Sequence, residues 1–335
     1  MFWLGFQARE TDANMDDQAR ALRELMCLQS VAPASGSLAR PKLIIAVSGA
    51  RGGVGATTVA VNLAVVLARR GLRTALVDAD PYSGDIALRC GVQEHCTLAD
   101  VLSGRRSVRE ALQGGPGSVL VLPGAWAQED IAQASSAAQQ QFVEQLQGLG
   151  DEANCVVVDT GSSPGRLARR LWLAADQVVL VSSAEVASIM GAYGLAKALA
   201  AGNKQIVLGL VVNMVADVDQ ALRVHGRLAR ACFRFLGLSL GMLGYVPLGE
   251  QGGGEGPCQL LVLSQPESAA AQQIQRLADA LAAPAKLASF CEPLKAGGNL
   301  PPPRVCTDYP PGFAHADRLA ISKSAVAQLT GRGES

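Results

Sequence analysis

Aromatic residues are scarce in this chain: 3 Trp, 4 Tyr and 7 Phe make up 4% of 335 residues. A core of this size must then be built from Ala, Val and Leu, which suits layered α/β architecture. Charge is also sparse, at 17%, and it balances at 29 basic against 29 acidic residues, so no overall basic field points to nucleic acid and no nucleic-acid partner is expected. The three histidines, His95, His225 and His315, are too dispersed for a metal or catalytic cluster. None of the eight cysteines forms a C-x-x-C pair, which excludes the usual zinc and thioredoxin-like motifs. They read as reduced thiols of a cytoplasmic protein, with Cys155 in the core. No uninterrupted apolar run reaches the ~20 residues of a membrane-spanning helix. The opening "MFWLGFQ" is short for a signal peptide and has no basic leader. It reads as a small interfacial anchor or a frayed terminus, and Met15 is an alternative start.

What is present is an alternating pattern. Strand-like runs cover 43–48, 73–78, 118–122, 155–159, 177–182, 206–213 and 243–246, and helix-period segments cover 57–70, 97–103, 137–147, 165–175, 187–201 and 267–283. Short, fully apolar strands alternating with helices predict a doubly wound, mostly parallel sheet with helices on both faces. Such sheets bind ligands at the carboxyl ends of their strands. The predicted organisation is an N-terminal region at 1–28, a linker at 29–41, an α/β domain at 42–284 and a Pro-rich tail at 285–335. In the N-terminal region, Ala19, Leu22, Leu25 and Met26 form one apolar stripe of a short helix, which either folds back onto its own domain or docks on a partner. In the tail, residues 316–329 suggest a weak terminal helix with a few basic groups and a weak membrane-surface contact.

The segment "GARGGVGATT" lies between the first apolar strand and the first helix. Glycines 52, 53 and 55 let a backbone approach polyphosphate closely and present its N–H groups as an anion nest. Thr57 sits where a phosphate loop places its Mg²⁺-ligating hydroxyl. The strict pattern G-x-x-x-x-G-K-[ST] fails at Ala50 and Ala56. Later strands end in "VDADPYSGD" and "VVVDTGSS", so Asp78, Asp80, Asp85 and Asp159 fall at or just beyond carboxyl ends, where a Mg²⁺–phosphate site needs carboxylates.

Together with "LVVNMV" and "GYVPLGE", these segments resemble the MinD/ParA family of deviant-Walker P-loop ATPases, in the family's order over residues 42 to 283. The resemblance implies ATP or ADP with Mg²⁺ as ligands, held by Arg51, Gly52, Gly53, Val54, Gly55, Ala56, Thr57 and Thr58. It also implies Thr57 as a Mg²⁺ ligand and Asp159 as the Walker B residue. Asp80 becomes the metal-site carboxylate that positions water, Asn213 the adenine contact, and Pro247 part of a segment closing over the base. In that family the nucleotide lies between two subunits, which implies a nucleotide-dependent homodimer. "DQARALR", residues 17–23, is similar to the motif at the front of FlhG/FleN-type flagellar-number regulators. By that resemblance Asp17, Gln18, Ala19, Leu22 and Arg23 engage an FlhF-type GTPase, with flagellar basal-body components as further partners. It places the protein in the cytoplasm, at the inner membrane face or cell pole. The glycine-rich loop also resembles pilus-assembly localisers of the CpaE/TadZ type, and an active ParA-like partitioning ATPase is the third reading. Both family lysines are replaced, by Arg51 and Ala56, and Ser163 stands where a glycine is expected. These departures predict a site that holds nucleotide but hydrolyses it weakly or not at all.

Overall fold

The computed structural model describes residues 39–124, 134–202, 207–249 and 260–282, all within the first of two units, Met1–Pro293. The helix expected at 15–29, with Asp17 to Arg23, and the tail after 285 lie outside the described residues.

Eight strands form one sheet in the order β3-β4-β2-β5-β1-β6-β7-β8. They are β1 (Leu43–Gly49), β2 (Thr74–Asp78), β3 (Gln113–Gly114), β4 (Leu120–Leu122), β5 (Cys155–Asp159), β6 (Gln177–Ser182), β7 (Leu208–Val215) and β8 (Gly241–Pro247). Every pairing is parallel except β3 with β4 at one edge. The predicted doubly wound sheet is therefore what the chain forms. Strand β1 reads as an unbroken apolar run because it lies between β5 and β6 and is buried along its whole length.

Alternate residues of the strands serve opposite faces. Ile45, Val47, Leu76, Val157 and Val179 face α1 (Ala56–Arg69) and, further out, α10 (Ala269–Ala282), whose Ile274 and Leu277 complete that layer. Ile44, Val77 and Val156 pack with Leu98 of α3 (Leu98–Leu102) and Phe142 of α5 (Ser136–Gln147) on the other face. Beside them, Ala46, Leu180 and Val212 meet Trp172 of α6 (Arg166–Ala174), Leu195 of α7 (Val186–Ala200) and Leu228 of α8 (Val218–Leu236). Trp172 carries one polar group into this layer. Its Nε1 donates to Ser48 Oγ at 2.8 Å and Thr160 Oγ1 at 3.1 Å, tying α6 to β1 and to the residue after β5.

Three short helices were not named by periodicity: α2 (Asp85–Cys90), α4 (Val108–Ala111) and α9 (Leu261–Ser264). Nor was the long α8, although its buried stripe of Ala221, Val224, Leu228 and Cys232 has helical spacing. Asp217 caps its start by accepting from the Gln220 N–H at 2.7 Å. The strand expected at 118–122 starts later, because Gly117 and Ser118 both take left-handed backbone (φ 64 and 65) after Pro116.

His225 of α8 is buried against β8, with Nε2 2.9 Å from the Leu240 carbonyl and Nδ1 without a described partner. Burial lowers its pKa from 6.5, so the fold holds the neutral Nε2–H tautomer. The unfolded chain takes up the proton first. Stability from this group is complete above pH 6.5 and is lost as pH falls towards the folded value. A His225→Gln variant should therefore lose less stability than the parent between pH 7.5 and pH 5.5. Thermal unfolding at each pH measures the difference, and parallel curves would refute it.

Candidate functional site

Strand β1 ends where the sheet's winding reverses, and residues 50–55 connect it to α1. The loop begins fixed on both sides: the Gly49 N–H donates to the Gly161 carbonyl at 2.9 Å and the Ala50 N–H to the Val181 carbonyl at 2.7 Å. Gly53 and Gly55 both take φ 81, a conformation glycine adopts without a Cβ penalty. Helix α1 starts at Gly55 with no side-chain cap and no acidic residue in its first turn. Its first N–H groups are therefore free to bind an anion, with the dipole in support.

Asn213, at the end of β7, clamps this loop. Its Nδ2 donates to the Val54 carbonyl at 2.8 Å, and its Oδ1 accepts from the Met214 N–H at 2.9 Å. Both ends of the amide expected at the adenine are thus engaged with backbone. A Cβ on Gly55 would lie 2.3 Å from that Nδ2, so clamp and glycine require each other. Met214 sits in the bulge between β7 and β8 with φ 57, a strained setting for a non-glycine residue, and its side chain is exposed. Pro247 ends β8 opposite Val215, and residues 250–259 beyond it lie outside the described residues.

Three carboxylates converge at the neighbouring strand ends. Asp78 and Asp159 are register partners on β2 and β5, and both are fully buried. Asp78 is spent on structure, accepting from the Asp80 and Ile86 N–H groups at 3.2 Å each. Burial, then the Asp159 charge, pushes its pKa well above the usual carboxylate range. Asp80 lies over Gly161, where a Cβ would meet its Cγ at 2.4 Å, and it accepts from the Tyr82 N–H and the Ser83 hydroxyl. Asp159 has its pKa pushed up to about 6, chiefly by burial, while the Thr57 hydroxyl and the Gly161 N–H favour its charged form. Its Oδ2 is buried and has no hydrogen-bond partner among the described residues.

An unpartnered oxygen on a buried carboxyl close to Thr57 is what a Mg²⁺ site would leave for its ion. Among the described residues no group of three or more His, Cys, Asp or Glu side chains could hold a metal alone.

The cations of the site differ from a lysine-bearing loop. Ala56 is buried at the first turn of α1. Arg51 pairs with Glu185 at the start of α7 on the exposed rim. Arg89 of α2, half-exposed, bears on the Asp159 carboxyl and lowers its pKa. Sequence reasoning missed Arg89, the Asn213 clamp and the Glu185 pair. Only the loop's own glycines and the strand-end aspartates left a local signal.

A glycine-rich loop at the switch point, a helix N-terminus left open and strand-end carboxylates define a P-loop nucleotide-binding protein. A family profile described as an AAA domain matches residues 42–208. The antiactivator FleN of Pseudomonas aeruginosa is 33% identical over 210 residues, covering 63% of this chain and 75% of FleN. The flagellum site-determining protein YlxH of Helicobacter pylori is 29% identical, covering 64% and 72%. Among solved structures, the septum site-determining protein MinD of Pyrococcus horikoshii, complexed with Mg-ADP, aligns at 25% identity. It does so with a TM-score of 0.58, over 73% of this chain and 97% of that one. The chain belongs to the MinD/ParA family of P-loop ATPases.

Proposed function

We propose that this chain is a nucleotide-dependent regulator of flagellum number and placement that binds MgATP and MgADP and hydrolyses ATP weakly or not at all. The observation that carries the nucleotide reading is the buried Asp159 carboxyl, with one oxygen unpartnered among the described residues, close to Thr57 and to a phosphate loop without either family lysine. In this reading the N–H groups of residues 51–58 wrap the phosphates. Thr57 and Asp159 hold the cation, directly or through water, and Asp80 orients a water molecule. Bound Mg²⁺ would neutralise phosphate charge and bridge it to the protein. Arg51 leaves Glu185 to reach a second copy across a nucleotide-dependent homodimer. The segment around Pro247 closes over the base.

The flagellar reading is supported by the identity with FleN and YlxH and by "DQARALR" at 17–23. Asp17, Gln18, Ala19, Leu22 and Arg23 would engage an FlhF-type GTPase, at the cytoplasmic face of the membrane or the cell pole. Among the described residues no helix is long and apolar enough to cross a membrane. Isothermal titration of a peptide spanning 15–29 against an FlhF-type GTPase tests the partner. We expect binding and faster GTP hydrolysis. The absence of both effects would remove the flagellar reading and leave a CpaE/TadZ-type assembly localiser as the better one.

A further inference from the structure

Two buried polar atoms of opposite charge type near the carboxyl ends of β2 and β5 have no hydrogen-bond partner among the described residues. One is Asp159 Oδ2, and the other is Nε of Arg89. Arg89 lies in the last turn of α2, and its ion pair with Asp85, one turn earlier, is loose at 3.8 Å. That separation is beyond hydrogen-bonding distance, and a partly exposed pair of this kind holds little. A charged donor buried without an acceptor is costly, so the fold gives up stability to keep this guanidinium in place.

The helix that carries Arg89 is held firmly. Asp78 accepts from the Asp80 N–H through Oδ1 and from the Ile86 N–H through Oδ2, which ties the first turn of α2 to the end of β2. Ile86 and Cys90, on either side of Arg89 in the chain, are buried in the same core layer as Val59 and Leu63 of α1. The sheet order β2-β5-β1 then sets Asp159 between the strand that leads to α2 and the strand that leads to the phosphate loop. Across that short gap the field of Arg89 reaches the Asp159 carboxyl and favours its ionised form.

The loop itself offers little positive charge. Arg51 is paired with Glu185 on the exposed rim, and the other family lysine is replaced by Ala56. A divalent cation held at Asp159 and Thr57 takes phosphate oxygens as ligands, which sets those oxygens between the start of α1 and α2. The guanidinium fork matches phosphate oxygens in shape as well as charge. One ligand then satisfies both orphaned atoms: its anion meets Arg89 and its bound cation meets Asp159.

We propose that Arg89 binds the terminal phosphate of bound ATP and supplies from α2 the positive charge that Ala56 cannot. The inference rests on the nucleotide reading above and adds to it the residue that distinguishes ATP from ADP. An arginine supplied in cis to a terminal phosphate is an effective substitute for charge missing elsewhere in such a site.

Isothermal titration of the full chain with MgADP and with the non-hydrolysable analogue MgAMPPNP tests this. Arg89→Gln should weaken binding of the analogue about tenfold or more and leave MgADP binding nearly unchanged. Arg89→Lys keeps the charge beside Asp159 but loses the fork, so it should fall between the two at an unchanged melting temperature. Ala56→Lys should gain more affinity for the analogue in the Arg89→Gln background than in the parent, because the two cations serve one phosphate. An equal loss for both ligands, or no loss, overturns the proposal and leaves Arg89 as a structural counter-charge to Asp159. Strict additivity of the substitutions at 56 and 89 overturns it as well. If the parent binds neither ligand, the nucleotide reading itself falls and takes this inference with it, so the parent titration tells the two failures apart.

Discussion

Ala56→Lys should tighten MgATP binding ten- to a hundredfold and raise steady-state hydrolysis by about 10² or more. Ala56 opens α1 directly after Gly55, so a lysine stem there starts beside the loop's N–H groups. A single charge-assisted phosphate contact is worth about 1.5–3 kcal/mol. A charge that strengthens its hold as the transition state develops is worth more in rate than in affinity. Arg89 already places a positive charge near Asp159, so the gain in affinity should lie toward the lower end and the gain in rate should dominate. Isothermal titration and phosphate release, measured beside the parent protein, separate the two. If neither changes, the site has lost more than one lysine and the loop is only a structural turn.

Asp159→Asn should act in opposite directions on stability and on binding. The parent carboxylate is fully buried, with its pKa pushed up to about 6 from 3.8. Its ionised form therefore destabilises the fold. That penalty is absent below pH 3.8 and complete above about 6, so it is fully felt at pH 7.5. Two pKa units correspond to roughly 3 kcal/mol. An asparagine amide left unsatisfied in the same place costs part of that back, for a net gain of about 1–2 kcal/mol and a melting temperature several degrees higher. Mg²⁺-dependent ADP binding should fall at least tenfold while binding in EDTA changes little. Thermal unfolding and titration with and without Mg²⁺ measure both. A lower melting temperature with intact Mg²⁺ dependence would show that Asp159 is a structural acid.

These two residues differ in how far the sequence reveals them. Ala56 is legible because a phosphate loop is a local object: strand, glycines and helix follow one another within "LIIAVSGARGGVGATT", and a missing lysine shows by position. Asp159 is legible as a strand-end carboxylate. Its raised pKa and orphaned oxygen are not, because they arise from β2, Asp80 and α1 closing around it. Asn213 gave only a strand end, and its clamp on Val54 depends on β7 being placed beside the loop. Helix α8 escaped notice for a different reason. Chain order interleaves its apolar positions with arginines, and the two sets separate onto opposite faces only once the helix forms.

By itself the sequence determined the parallel sheet, the phosphate loop and its missing lysines, since hydrophobic period and glycine placement act over a few neighbouring residues. Tertiary structure alone decided which carboxyl is satisfied by backbone and which waits for a cation, and where Arg51 and Arg89 place their charge. Desolvation and Coulomb interaction depend on everything packed around a group, and chain order does not state what that will be.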